Sequence, residues 1–313
     1  MRVTSNMSAD NSIYNIQQGQ AKLNRLQDLT ASGQNIINPS DDPIGSRLLL
    51  DIGDKLRAGD QYLSNIQKSS TWQQFTSTAL TGMSDIMSLA KQQIYTISSG
   101  SSDPVERQNA VSQLRALKQQ MIDMGNTQLG DQYIFGGANN SAPPFSNVVS
   151  PPAAATDYYT GDETPLNIEI GNSTTMQMNI AGNQLLTGSN LPLPAPAGAL
   201  PYGTTNILKT FDDLIAAVGS NSVPGIQAGA QALEAGAKQI NNAQSDVASR
   251  MLRLDSSSKM NANTKNTLET IYGNTQNVDY AKLAVQLSQQ KIAFEASLSS
   301  TAKLSQLSLL NYL

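Results

Sequence analysis

Apolar residues recur along most of this chain in steps of three and four, and along a short central stretch in steps of two. The first spacing lines one face of an α-helix, the second one face of a β-strand. The clearest series runs Ile226, Ala230, Leu233, Ala237, Ile240, Gln244, Val247, Met251 and Leu254. Sustained over about four heptads, it predicts a long helix packed along another. A weaker continuation passes through Ser258, Asn261, Lys265, Leu268 and Tyr272. Gly225, Gly229 and Gly236 fall within it, each weakening an isolated helix by about 1 kcal/mol relative to Ala. Partner packing must carry this helix.

The N-terminal half supplies partners. Leu49, Ile52, Leu56, Leu63 and Ile66 define one stripe; Leu80, Met83, Met87, Ala90, Ile94 and Ile97 define a second. A continuous helix over 44–98 would be roughly 80 Å long, and the phase shift near Trp72 and Phe75 is the place for a bend or a break. Those two aromatics read as core packing more readily than as an anchor for a partner. Asp42-Pro43 marks a helix start, with a carboxylate to cap free N–H groups and proline at the first helical position. Asp103-Pro104-Val105-Glu106 repeats it with a capping-box glutamate. The helix after it presents Ala110, Leu114, Leu117, Met121 and Met124 and ends near 125–130. A short helix is expected from about Asn206 to Val218, closed by Gly219.

In the middle, Leu166, Ile168 and Ile170 alternate with polar residues, Gly171-Asn172-Ser173 follows, and Met176, Met178 and Ile180 alternate again. This predicts a β-hairpin with one buried face. Tyr133 to Gly137 and Asp157 to Thr160 are further strand candidates, and the proline-rich stretch from Leu191 to Pro201 reads as an extended linker. The fold class is therefore mainly α with a β-rich insert: a long antiparallel coiled-coil bundle built from both chain ends, with a small all-β domain between. The expected divisions are terminal assembly helices (1–42 and 276–313), a helical coiled-coil domain (43–130 and 204–275) and a β-rich variable domain (131–203).

The two ends differ in apolar content. Residues 1–36 carry sparse apolar positions, among them Val3, Met7, Ile13, Ile16, Leu23 and Leu26. In 278–313, Val278, Val285 and Ile292 recur every seven residues, as do Tyr280, Leu287 and Phe294. Leu283, Leu298, Leu304, Leu307, Leu309, Leu310 and Leu313 widen the apolar surface almost around the helix. A helix apolar on more than one side must be buried on more than one side, and one thin N-terminal helix covers only part of it. The termini read as an assembly interface that orders on binding; a closed intramolecular bundle is the alternative.

Composition agrees with association. Charged residues make up 14% of the 313, against roughly 25% in ordinary soluble proteins, so little long-range repulsion holds copies apart. The net charge is −4 and the 20 Lys and Arg are dispersed, without the concentrated basic face that nucleic-acid binding requires. No apolar run approaches the length of a membrane span, and the first residues lack the apolar stretch of a secretory signal peptide. Cysteine and histidine are both absent. That removes disulfides, thiolate and imidazole metal sites, cysteine nucleophiles and the commonest general base near neutral pH. No catalytic, cofactor or metal site is expected. Asp41-Asp42 reads as helix capping, Asp162-Glu163 as a solvated turn without calcium-loop spacing, and Gly136-Gly137 as a tight turn without a phosphate-loop pattern.

Several segments resemble a known family. Asn38-Pro39-Ser40-Asp41-Asp42-Pro43 resembles the N-P-S/A-D-D-P/A signature of flagellins and their relatives. Tyr133-Ile134-Phe135-Gly136-Gly137 resembles the Y-I-F-G/A-G element of the hook-associated protein 3 family, the second junction proteins between flagellar hook and filament. Pro144-Phe145-Ser146 falls where that family has a P-F-S segment, and Val278-Asp279-Tyr280-Ala281 with the leucine-rich close resembles its C-terminal helix. The likeness covers about 1–145 and 204–313. Flagellins usually begin near V-I-N-T-N and end close to a Leu-Leu pair. Here the start is Met1-Arg2-Val3-Thr4, and Asn311-Tyr312-Leu313 extends past Leu309-Leu310.

The resemblance implies a secreted structural subunit, extracellular at the hook–filament junction, and not an enzyme. It implies export unfolded through the flagellar type III channel, with a cytoplasmic chaperone covering the C-terminal helix. The implied partners are copies of itself in a ring, the first hook-associated junction protein and flagellin, with no nucleic acid and no membrane. Flagellin itself, a secreted coiled-coil adhesin and an enzyme housed in 131–203 are the alternatives.

Overall fold

A computed structural model describes residues 5–98, 103–146, 158–188 and 202–310, with the side chains of 5–9, 98 and 304–310 left aside. The order is α1 (Ser5–Ser32), α2 (Pro43–Ser98), α3 (Pro104–Gly125), β1 (Gln128–Leu129), β2 (Gln132–Tyr133), β3 (Asn167–Gly171), β4 (Thr174–Gln177), a π-helical turn (Asn183–Thr187), α4 (Ile207–Gly219), α5 (Val223–Gln276) and α6 (Tyr280–Leu310). The fold is helical with a small strand-bearing middle, as the hydrophobic spacing predicts. Two compact units form, Met1–Ala58 with Asn263–Leu313 and Gly59–Ala262. α2 and α5 contribute residues to both.

In the larger unit, α2 runs as one helix past Trp72, so no break occurs there. The reason lies in polar residues. Ser69, Gln73 and Thr76 are buried and keep the three-and-four spacing between Ile66 and Leu80, where the apolar pattern lapses. Trp72 joins the core, but Phe75 lies off that stripe and is 41% exposed, against the expectation of core packing. Gln73 Nε2 donates to the Met178 carbonyl at 2.7 Å, an amide spent on holding the strand region.

α3 starts as its sequence predicts: the Asp103 carboxylate accepts from the Val105 N–H. Its buried face is Ala110, Leu114, Leu117 and Met121, joined by Val111, Lys118 and Ile122. α4 is capped by the Asn206 side chain and includes Gly219; the left-handed residue that ends the turn is Asn221 (φ 54°), not Gly219. α5 buries Ile226, Leu233, Ile240, Val247 and Leu254, every second member of the predicted series. The glycines now have a cause. A Cβ on Gly229 would stand 2.2 Å from Leu214 Cδ2, and one on Gly236 3.0 Å from Ile207 Cγ1, so their absence lets α4 lie close against α5.

The predicted hairpin is present: β3 and β4 pair antiparallel with Ile168 opposite Met176. Ile170, Met176, Ile66 and Leu254 form its apolar contact with the long helices. The other strand candidates shrink. β2 stops at Tyr133, with turns following, and Tyr159 makes only a single bridge to Phe145. Ile134 and Phe135 are buried on successive positions, which a strand with one solvated face does not permit. The proline-rich 191–201 segment lies outside the described residues.

Candidate assembly interface

In the smaller unit α1 and α6 pack lengthwise. Gln290 Nε2 donates to the Gly19 carbonyl at 3.2 Å, while Gly33, just past the end of α1, meets Tyr280 at the start of α6, so the two helices run antiparallel. The half-buried positions on α1 are Ser12, Ile16, Gly19, Leu23, Leu26 and Leu29; those on α6 are Leu287, Gln290, Phe294, Ser297 and Thr301, below the buried Leu283. Both series alternate steps of four and three, on α1 as far as Leu26, the seam of a two-stranded coiled coil. Polar residues hold several of its positions, so the pair gains little burial by itself.

Of the expected interface residues, Leu283 is buried and Leu287, Phe294, Val278, Ile16, Leu23 and Leu26 are half-buried. Val285 and Ile292 point away from α1 and are 57% and 64% exposed; Tyr280, Leu298 and Ile13 are exposed as well. Beyond the first residues of α6 the two seven-residue series therefore part company, Leu287 and Phe294 facing α1 and Val285 and Ile292 facing outward. Met7, Leu304, Leu307, Leu309 and Leu310 lie in the helices with side chains outside the described set, and Val3 and Leu313 lie outside the described residues altogether. Gly19, Gln290, Ser297 and Thr301 were missed by an apolar-only reading; a four-three count that admits polar residues finds them.

The segment Asn38 to Pro43 fixes the entry into α2. The Asp42 carboxylate caps it, accepting from the Ile44 N–H at 3.1 Å and the Gly45 N–H at 2.9 Å. Asp41 does not cap. Its carboxylate accepts from the Asn38 N–H at 3.0 Å and from Arg25 Nη1 of α1 at 2.8 Å. Those bonds hold the Asp41 carboxyl below the usual carboxylate range, the Arg25 hydrogen bond foremost, and raise the Arg25 guanidinium. The connectors that flank the helix pair are themselves tied. Asn35 N–H donates to the Gln276 carbonyl at 2.6 Å and Val278 N–H to the Gly33 carbonyl at 3.2 Å, around an antiparallel bridge of Gln34 with Asn277.

The Tyr133–Gly137 element lies in the other unit and serves a different purpose. Tyr133 is half-buried, whereas Phe135, Gly136 and Gly137 are buried with Ile134. Gly137 has φ +68°, and a Cβ there would stand 1.8 Å from the Asp162 carbonyl oxygen. The Tyr159 hydroxyl donates to the Phe135 and Asp162 carbonyls at 3.0 and 2.8 Å, and burial pushes its phenol well above the ordinary tyrosine range. This element is a backbone knot that closes the strand region. Among the described residues no group of three or more His, Cys, Asp or Glu is placed to hold a metal, and no helix is long and apolar enough to cross a membrane.

Residues 3–140 match the bacterial flagellin N-terminal helical region, and residues 230–313 the bacterial flagellin C-terminal helical region. The chain belongs to the bacterial flagellin family of axial proteins. Among its relatives are the flagellar hook-associated protein 3 of Salmonella typhimurium, 23% identical over 70% of this chain and 67% of that protein, and its counterpart in Escherichia coli, 22% identical over the same shares. Solved structures share the fold. A flagellar hook-associated protein of Vibrio parahaemolyticus superposes with a TM-score of 0.63 over 76% of this chain and 100% of that one, at 20% identity. The Legionella pneumophila flagellar hook associated protein-3 gives 0.60 over 71% and 97%, at 13% identity.

Proposed function

We propose that this chain is a structural subunit of the bacterial flagellum at the junction of hook and filament, assembling through its terminal helices. The observation that carries the reading is the division of α6 into two apolar faces. One, with Leu283, Leu287 and Phe294, is spent on α1; the other, with Val285 and Ile292, is left to water. Apolar side chains repeated every seven residues on a solvated helix face are a second seam awaiting a neighbour. The relatives that carry the name hook-associated protein 3 favour the junction over flagellin, the filament subunit.

The subunit works by packing; with neither histidine nor cysteine, the chain lacks the commonest general base and the thiol nucleophile. Its neighbours are copies of itself in a ring, the first hook-associated protein on one side and flagellin on the other. It reaches that extracellular site by flagellar type III export, with a cytoplasmic chaperone covering α6 beforehand. A chain lacking 278–313 tests the core of this. It stays soluble and largely helical yet fails to enter the base of the filament; normal motility with that truncation rejects the reading. Immunogold labelling separates the rivals, a thin band at the hook end for a junction subunit or the whole filament for flagellin.

A further inference from the structure

Two contacts between α1 and α6 share a form that the assembly reading does not require. At one, Tyr280 Oη lies 2.6 Å from where a Cβ on Gly33 would stand; at the other, Phe294 Cδ2 lies 3.2 Å from where a Cβ on Gly19 would stand. Each sets an α6 aromatic residue against a glycine, the Phe294 ring edge at Gly19 within α1 and the Tyr280 hydroxyl at Gly33 one residue past its end. Gly19 and Gly33 are two heptads apart, and so are Tyr280 and Phe294. The two contacts therefore belong to one antiparallel register, repeated after four turns.

We propose that these two aromatic-on-glycine contacts are positioning devices that select the register of the terminal helix pair. The backbone bonds of Asn35 with Gln276 and of Val278 with Gly33 pin the connector end of the pair, while the rest of the helical seam selects the register poorly. Ser12, Gln290, Ser297 and Thr301 occupy half-buried seam positions, and polar or small residues lose little when the helices slide. Sliding by one heptad would set the Phe294 ring on Leu26 and leave Gly19 opposite Thr301, or set it on Ser12 and leave Gly19 opposite Leu287. Moving Phe294 onto Leu26 crowds two large side chains; moving Leu287 off Leu26 onto Gly19 opens a gap. Glycine in mid-helix weakens α1 relative to alanine, and the need to seat a ring accounts for it at Gly19. The register fixes which α6 residues face outward. Its importance for assembly thus rests on the terminal pair being the assembly surface, while the register itself stands on the contacts alone.

The absence of cysteine allows a direct test in the full chain. Ser12→Cys with Thr301→Cys places thiols one heptad beyond the Gly19–Phe294 contact, where the register brings them face to face. The pair oxidises to an intramolecular disulfide in the parent. Adding Gly19→Leu lowers the yield at least fivefold while helix content by circular dichroism holds or rises, since leucine is the better helix former. Adding Phe294→Ala to that variant restores the disulfide by exchanging the large and small partners. No disulfide in the parent, an unchanged yield in Gly19→Leu, a loss of yield that accompanies loss of helix, or no recovery in the exchanged pair would each overturn the assignment. Incorporation into the flagellum is scored separately: a register that holds in a chain that never assembles rejects the assembly reading and leaves the register intact.

Discussion

Lys118 and Asp212 form a lopsided ion pair: the lysine side chain is 7% exposed and the aspartate 38%, with Nζ 2.7 Å from Oδ1. The Tyr158 hydroxyl donates to the same carboxylate, and the ammonium sits 5.0 Å from the centre of the Tyr158 ring. Stranding the deeper partner is the costly change. Asp212→Ala is expected to destabilise the fold by about 2 kcal/mol after discounting for its exposure. Lys118→Met leaves a carboxylate that water still reaches and costs less than about 1 kcal/mol. Urea unfolding of both variants decides it; a larger loss for Lys118→Met contradicts the assignment.

The Asp42 cap gives a second outcome. Asp42→Ala frees the Ile44 and Gly45 N–H groups and costs about 1 kcal/mol, whereas Asp42→Asn keeps an acceptor and costs a few tenths. Thermal unfolding ranks the three chains.

Gly137 admits no side chain. Its positive φ and the Asp162 carbonyl oxygen, 1.8 Å from a Cβ, act together. Gly137→Ala is expected to cost about 3 kcal/mol or more. The loss shows as a lower denaturation midpoint, and a midpoint within error of the parent refutes the tight approach.

The Arg25–Asp41 pair predicts the sign of one pH effect. The folded-state pKa of Asp41 is depressed, so its contribution is fully present above the ordinary carboxylate value of about 4 and lost as pH falls through the lower folded value. Comparing melting temperatures of the parent and Asp41→Asn at low salt should give a constant gap from pH 5 to 7 that closes below about pH 4. A gap that widens on acidification reverses the assigned sign.

The outward face of α6 is expected to separate assembly from folding. Val285→Ser with Ile292→Ser alters two exposed side chains, so the circular dichroism spectrum and melting temperature stay near those of the parent. Incorporation into the flagellum falls to background. A fully motile strain carrying this variant removes those residues from the interface.

Much of this architecture was legible in residue spacing, because long helices repeat one signal many times. The series from Ile226 to Leu254, the caps at Asp42 and Asp103 and the Ile168–Met176 hairpin all rest on local patterns. What spacing hid was local polarity serving tertiary ends. Ser69, Gln73 and Thr76 sit in the core and carry α2 through a lapse in its apolar stripe; a count of apolar residues sees a break there. Gln290 and Gly19 occupy the α1–α6 seam for the same reason, one through its amide and one through its lack of a side chain. The π-helical turn from Asn183 to Thr187 had no signal in periodicity: its Leu185 and Leu186 are buried side by side.

The bond from Gln290 to the Gly19 carbonyl joins positions 271 residues apart. Closing so long a loop from an unfolded chain costs about 5 kcal/mol of entropy before any constant term, and contacts this distant in sequence are slow to find. Hairpins and neighbouring helices such as β3–β4 and α3–α4 face no such delay. Formation of the α1–α6 pair is therefore expected to lag behind those local elements, an order that pulse-labelling hydrogen exchange during refolding would check. The surface that the two chain ends build together is thus the part of the molecule that depends most on everything between them being in place first.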